Sequence, residues 1–189
     1  TNGAVAKNTG NINIVAGGAN SIGAYAELGS TFANNGIINS LSSTSIGAFA
    51  NGNATIENTG TITTNNLGIY GSGDGTNGAT INNSGNILLE SPTVTTAKKS
   101  AGIYAFLDSS ASGKLTAINN GNIEVGQEES AGIYSVNNSS QSSGQSVGIN
   151  NKTISVTKSG SAAMIGEKSN LSNTSTASGE GIRLSSVKT

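Results

Sequence analysis

The sequence predicts an all-β solenoid of about five full coils, with partial coils at either end. Three observations carry that expectation. Gly-x-Tyr recurs as Gly23-Ala24-Tyr25, Gly68-Ile69-Tyr70, Gly102-Ile103-Tyr104 and Gly132-Ile133-Tyr134, and Gly47-Ala48-Phe49 is a fifth copy with phenylalanine. These copies hold all four tyrosines and five of the seven aromatic residues, which chance does not do. A second motif, Asn-x-Gly-x-Ile, alternates with the first, beginning at Asn8, Asn34, Asn58, Asn83 and Asn119, with a degraded copy Asn150-Asn151-Lys152-Thr153-Ile154. Successive first asparagines lie 26, 24, 25, 36 and 31 residues apart, a real but elastic repeat. Such periods mark stacked units that bury a continuous core. The third observation is negative: Gly, Ser, Thr and Asn dominate, poor helix formers all, and no long stretch has a 3.6-residue apolar period.

Each unit reads as three short strands. Thr80–Asn83 and Asn86–Leu89 alternate apolar and polar residues, and Ser84-Gly85 between them is a bend where glycine would supply a positive φ. Ser100–Ala105 is the third strand, with Ala101, Ile103 and Ala105 on one side and Gly102 and Tyr104 on the other. Unit borders fall before Ser21, Ser45, Leu67, Ser100, Ser130 and Ser161. Three core ladders are expected: Ile12, Ile38, Ile62, Ile87, Ile123 and Ile154; Ile22, Ile46, Leu67, Ala101 and Ala131; and Phe32, Ile56 and Ile81. Burying one such large residue contributes about 1.5–3 kcal/mol before entropy. The bend asparagines should stack from coil to coil, since an amide both donates and accepts along the axis. The excursions at Gly71–Ala79, Leu88–Lys99, Phe106–Leu115 and Ser135–Ser146 read as surface loops, the usual place for binding.

Composition narrows the function. The 189 residues include 27 glycines, one proline and neither cysteine nor histidine; 10% are charged and the net charge is -1. So balanced a chain has no field to gather nucleic acid or an anionic membrane, and no apolar run approaches the ~20 residues of a membrane helix. Without histidine or cysteine, most metal sites, histidine triads and thiol nucleophiles are ruled out. No cofactor or metal site is expected. Carboxylates are dispersed, with Glu128-Glu129 the only acidic doublet, whereas a polysaccharide-cleaving β-helix needs them clustered. Asp74 alone does not make the Gly71–Gly78 stretch a calcium loop. Thr61-Ile62-Thr63 and Thr93-Val94-Thr95 lack the regular partners an ice-binding face needs. The candidate contact residues are the ring column, Tyr25, Phe49, Tyr70, Tyr104 and Tyr134, which strand alternation turns outward. Exposed rings would stack on sugars or anchor a protein partner; alternatively they stack on one another and stiffen the rod.

Gly-Ile-Tyr followed by Ile-Asn-Asn-Ser-Gly-Asn-Ile resembles the repeats of large, monomeric type V autotransporter passenger domains, most nearly the very long adhesins of fusobacteria. The resemblance covers about residues 1–160; beyond it Ala163-Met164 and Gly181-Ile182 are faint echoes. It implies a right-handed parallel β-helix, displayed outside the outer membrane of a bacterium through a C-terminal barrel. The expected role is attachment to a protein or glycan on host cells or other bacteria. On this reading the chain is one β-helical segment, 1–189, cut from a longer array, without signal peptide, barrel or catalytic motif. Trimeric adhesin heads share Ser21-Ile22-Gly23-Ala24, but the glycine spacing here is too long for them. The alternatives are a polysaccharide-degrading enzyme and a structural solenoid spacer, with end-to-end self-association open to the latter.

Overall fold

Three parallel sheets wrap one thin core in a computed structural model that describes residues 3–15, 20–90, 100–175, 177–178 and 181–185. The chain passes through the sheets in turn. The coil containing Thr80–Asn83, Asn86–Leu89 and Ala101–Leu107 is typical, and its first two strands match the sequence reading to the residue. The first sheet runs in seven strands from Val5–Asn8 to Asn170–Asn173, and the second, also of seven, from Asn11–Ile14 to Ala177–Ser178. The third runs from Ile22–Ala26 to Ile182–Ser185, with the short strand Asn77–Gly78 added antiparallel to Leu67–Asp74. Every strand pair between coils is parallel, so the molecule is a parallel β-helix. Seven rungs about 4.8 Å apart span about 29 Å from first to last. The tail is not blurred in space: Met164 pairs with both Ile133 and Ile182, so both echoes stand in register.

One edge of the rod is an amide ladder. The side chains of Asn8, Asn34, Asn58, Asn83, Asn119, Asn150 and Asn173 stack, each Nδ2 donating to the next Oδ1 at 2.7–2.8 Å. The second N–H of each amide closes its own bend onto the carbonyl two residues on, at 2.6–3.4 Å. The five from Asn34 to Asn150 are buried. Asn173 is a seventh copy of the bend motif, reduced to Asn173-Thr174 and missed in the sequence.

The bend glycines act differently from expectation. Positive φ among the described glycines belongs to Gly29, Gly52, Gly75, Gly160 and Gly181, not to the Asn-x-Gly bends. Glycine is required there because the coils touch: a Cβ on Gly36, Gly60, Gly85 or Gly121 would overlap the carbonyl oxygen of the glycine one coil before. Where Lys152 takes that slot, the following strand shortens to Ile154–Val156, three residues instead of four.

The first and third isoleucine ladders are core, in register and buried from Phe32 and Ile38 onward, with Ala117, Gly148 and Leu171 continuing the one begun by Phe32. The second ladder is corrected in part. Ile22, Ile46, Leu67, Ala101 and Ala131 align in register, and Ala101 and Ala131 are buried as expected, but Ile46 and Leu67 are only partly buried, Ile22 is 42% exposed, and none joins the main core cluster. A Cβ on Gly102 would point inward, 2.9 Å from Ile123 Cγ2, and Ile103 behind it is also inward. Two successive inward residues break the alternation, so Gly102 does not share the face of Tyr104 and the residue before it faces out. The residue after the motif glycine makes the core ladder instead: Ala24, Ala48, Ile69, Ile103, Ile133 and Met164.

The excursions are also less loop-like than expected. Leu67–Asp74, Ala101–Leu107 and Ala131–Asn137 carry the third-sheet strands into three of them, where Leu107, Ala111 and Leu115 form a buried extension of the core. These three excursions gather at the corner between the third and first sheets. The fourth, Leu88–Lys99, leaves the second sheet, and its residues 91–99, with Thr93-Val94-Thr95 and Lys98-Lys99, lie outside the described residues.

Two pairs of substitutions separate these causes. Asn83→Ala should cost about 2–5 kcal/mol in urea denaturation, because it orphans the Asn58 amide donor and the Asn119 acceptor in a buried row. Asn39→Ala removes an exposed amide-to-amide bond of 2.8 Å and should cost about 0.5 kcal/mol or less. Gly60→Ala should cost about 3 kcal/mol through backbone collision. Gly75→Ala, at φ 47 with open space around it, should cost about 1 kcal/mol. Equal losses at Gly60 and Gly75 would contradict the close-approach argument.

Candidate aromatic contact face

All five ring residues come together. Tyr25, Phe49, Tyr70, Tyr104 and Tyr134 pair in strict register on the outer face of the third sheet. Alternation places them outward because Ala24, Ala48, Ile69, Ile103 and Ile133 beside them fill the core. Tyr25 is 49% exposed and the other four are half-buried. Ring centroids are 5.2, 4.7, 5.2 and 5.2 Å apart along the column. Phe49 and Tyr70 are nearly coplanar in orientation at 12°, while Tyr104 and Tyr134 splay to 47°. Each such pair adds about 0.5–1.5 kcal/mol beyond area burial.

The stacking changes what the column can offer. Within it, ring faces cover one another, and edges and hydroxyls face solvent. A sugar therefore cannot lie flat on an interior ring. The column ends at Tyr134, because the next rung holds Ile165 in the ring slot. A shallow cavity of about 290 Å³ opens there, lined by Tyr134, Ile165, Ala131, Ser100, Gly160 and the carboxylates Glu129 and Glu167. A second hollow, about 240 Å³, lies where Tyr104 and Tyr134 splay, bounded by Leu67 and Asn66.

Several of these residues escaped the sequence reading. Phe106 lies two residues past Tyr104 in the same strand, hence on the same face, with its ring 6.1 Å away. Glu27 stands two residues past Tyr25 and accepts its hydroxyl at 2.8 Å. Glu167 accepts the Tyr134 hydroxyl in the same way from the next rung. Period-2 counting from each tyrosine, and alignment of the Ala163-Met164 echo, would have found them. Ala131, read as core from the sequence, is buried and also stands in the cavity wall.

The rings sit in a negative surround. Burial is the main reason the Tyr104 phenol is pushed up to about 12, with the Tyr70 and Glu167 charges adding to it. Burial leads again at Tyr134, followed by its bond to Glu167, and at Tyr70, followed by Asp108. Tyr25 is raised chiefly by its bond to Glu27. Among the described residues no group of three or more acids, histidines or cysteines lies close enough to hold a metal ion. The Asp74 stretch is a hairpin arm, in which Asp74 pairs with Asn77.

Fold and face together define a parallel β-solenoid with an outward aromatic column. No protein-family model matches the chain, and no curated protein or solved structure matches it either.

Alkaline titration checks the column. An unfolded tyrosine ionises near pH 10, while Tyr104 in the fold holds its proton to about 12. The folded state thus keeps a proton the unfolded state has released. Stability from this source is full below pH 10 and is lost as pH rises through about 12. Tyr104→Phe should lose less stability than wild type across that window, measured by thermal melts alongside tyrosinate absorbance.

Proposed function

We propose that this chain is an extracellular stalk or adhesin segment, displayed on a bacterial surface, that works by presentation rather than catalysis. The observation that supports it is the register: five rings fixed at one pitch, facing out, on a continuous parallel scaffold. A rigid array of half-buried aromatics beside shallow hollows is the kind of surface that anchors a partner, because little entropy remains to be lost on binding. The partner is a protein or glycan on a host cell or another bacterium. Display outside the outer membrane, through a barrel elsewhere in the parent chain, comes with the resemblance of the repeats to autotransporter passengers.

One observation favours a second reading, that of a spacer: the interior ring faces are covered by one another, which stiffens the rod. The two readings separate in one experiment. Purified protein is tested for binding to host cells, to bacteria and to a glycan array, beside a variant with Tyr70, Tyr104 and Tyr134 all changed to Ser and shown by circular dichroism to be folded. The adhesive reading expects saturable binding by the wild type, reduced at least about tenfold in the variant. Binding absent from both, or equal in both, would falsify it in favour of the spacer.

A further inference from the structure

We propose that the cavity at the end of the ring column seats an organic cation, a lysine ammonium or arginine guanidinium projecting from a partner protein. The proposal rests on the reading of the third sheet's outer face as a contact face, and names the chemistry of its partner.

Three features converge on the cavity. It lies where the stack stops, so the last ring, Tyr134, has no ring on its far side, and Ile165 fills only part of the vacated slot. Its floor is small: Ala131 occupies the register position that Ile46 and Leu67 fill in earlier coils. That narrowing from Ile to Ala leaves room beside the ring. The polar lining is acidic. Glu167 is tethered by the Tyr134 hydroxyl through one oxygen, leaving the other as an acceptor toward the cavity. Glu129 is exposed at the rim, in the left-handed region at φ 51. A residue with a Cβ costs energy in that conformation, and asparagine or glycine would sit there more easily. Gly160, the equivalent turn residue one coil on, leaves space for Glu129: a Cβ there would stand 3.3 Å from Glu129 Cγ. No lysine or arginine is among the described lining residues.

An aromatic ring with two carboxylates and an apolar floor complements a cation with a methylene stem. The ring's quadrupole attracts the charge, the carboxylates accept its N–H groups, and the stem lies on Ile165. At about 290 Å³ the cavity suits one side-chain head. Interior rungs do not repeat this arrangement, because there each ring covers the next.

The test is an amide-proton NMR titration of the whole chain with Nα-acetyl-lysine amide and Nα-acetyl-arginine amide. Nα-acetyl-norleucine amide supplies an uncharged stem, and a neutral methyl pyranoside tests for sugar. The expected result is a saturable shift confined to residues 129–134 and 160–167 with the cations alone, weakening as salt is raised. Glu129→Gln with Glu167→Gln should weaken it by roughly tenfold or more. Ala131→Leu should abolish it while leaving both carboxylates in place, and because Ala131 is buried, circular dichroism must first show that this overpacked variant folds. Equal shifts with norleucine amide, shifts with the pyranoside instead of the cations, or none with either cation would overturn the proposal. Cell binding of the same samples separates it from the broader reading. Adhesion without a cation response overturns the cation site alone, whereas a cation response without adhesion supports the site and sinks the adhesive role.

Discussion

The amide row from Asn8 to Asn173, buried from Asn34 to Asn150, is the constraint on which the rest of the structure depends. An amide shut away from water must find partners for both of its polar ends, and here they come from the same residue one coil away. Only one register provides that. Slipping a coil by one residue would turn Asn58 out and Glu57 in, which places a carboxylate in the core. The row therefore acts as a register key as well as a source of stability. It also explains how spacings from 23 to 36 residues are tolerated. Extra residues enter at the other two corners, where no such row runs, and the Asn-x-Gly corner stays invariant in length.

The two sequence motifs are two halves of one contact. In five successive coils the bend-motif isoleucine of the following coil places its Cγ2 close to the glycine of Gly-x-Tyr. It stands 3.2, 2.9, 3.0, 2.9 and 2.5 Å from where a Cβ would be on Gly23, Gly47, Gly68, Gly102 and Gly132. Neither motif has a reason to persist without the other. The next position fits the same logic: Ala163 stands in the glycine slot where the isoleucine ladder passes to Ala177. Because the glycine turns inward to receive that methyl, the strand carries two inward residues in a row and the preceding residue is expelled to the ring face. The same contact that seals the core thus builds the apolar strip beside the rings.

Most of the architecture was legible because it lives in periodicity. Strand count per unit, the outward turn of Tyr70 and Tyr104, the stacking of Asn34 through Asn150 and the ladder from Ile12 to Ile154 all follow from spacing and alternation. What escaped was set by distances between backbones. Period-2 counting cannot see that Gly102 lies against Ile123, so it placed Ile22 and Leu67 in the core. It assigned the bend glycines a dihedral role when their function is clearance. Leu107 and Leu115 were read as loop because Ser, Gly and Asn surround them, although both lie on buried phases of extended strands. At the site, the five rings were plain from the motif. Glu27, Glu167 and Phe106 lie outside the repeated triplet and emerge only by counting two residues on from each ring slot.

Stacking and recognition compete for the same atoms in this column. A ring that stiffens the rod gives its faces to its neighbours, so a longer aromatic run adds rigidity without adding ring faces. Recognition is then confined to edges, to hydroxyls and to the place where the run ends. Tyr25 and Tyr134 show the consequence: each donates its hydroxyl to a glutamate, one at 2.8 Å to Glu27 just past the end of its own strand and the other to Glu167 on the next rung. Tyr70 and Tyr104 have no such glutamate and hold their place by stacking. Burial does most to raise the phenols between the terminal rings, and Glu167, which anchors one of those rings, adds to it at Tyr104. A solenoid that grows by adding identical rungs thereby acquires a distinct chemical feature wherever its repeat changes, and Ile165 in the ring slot is such a change.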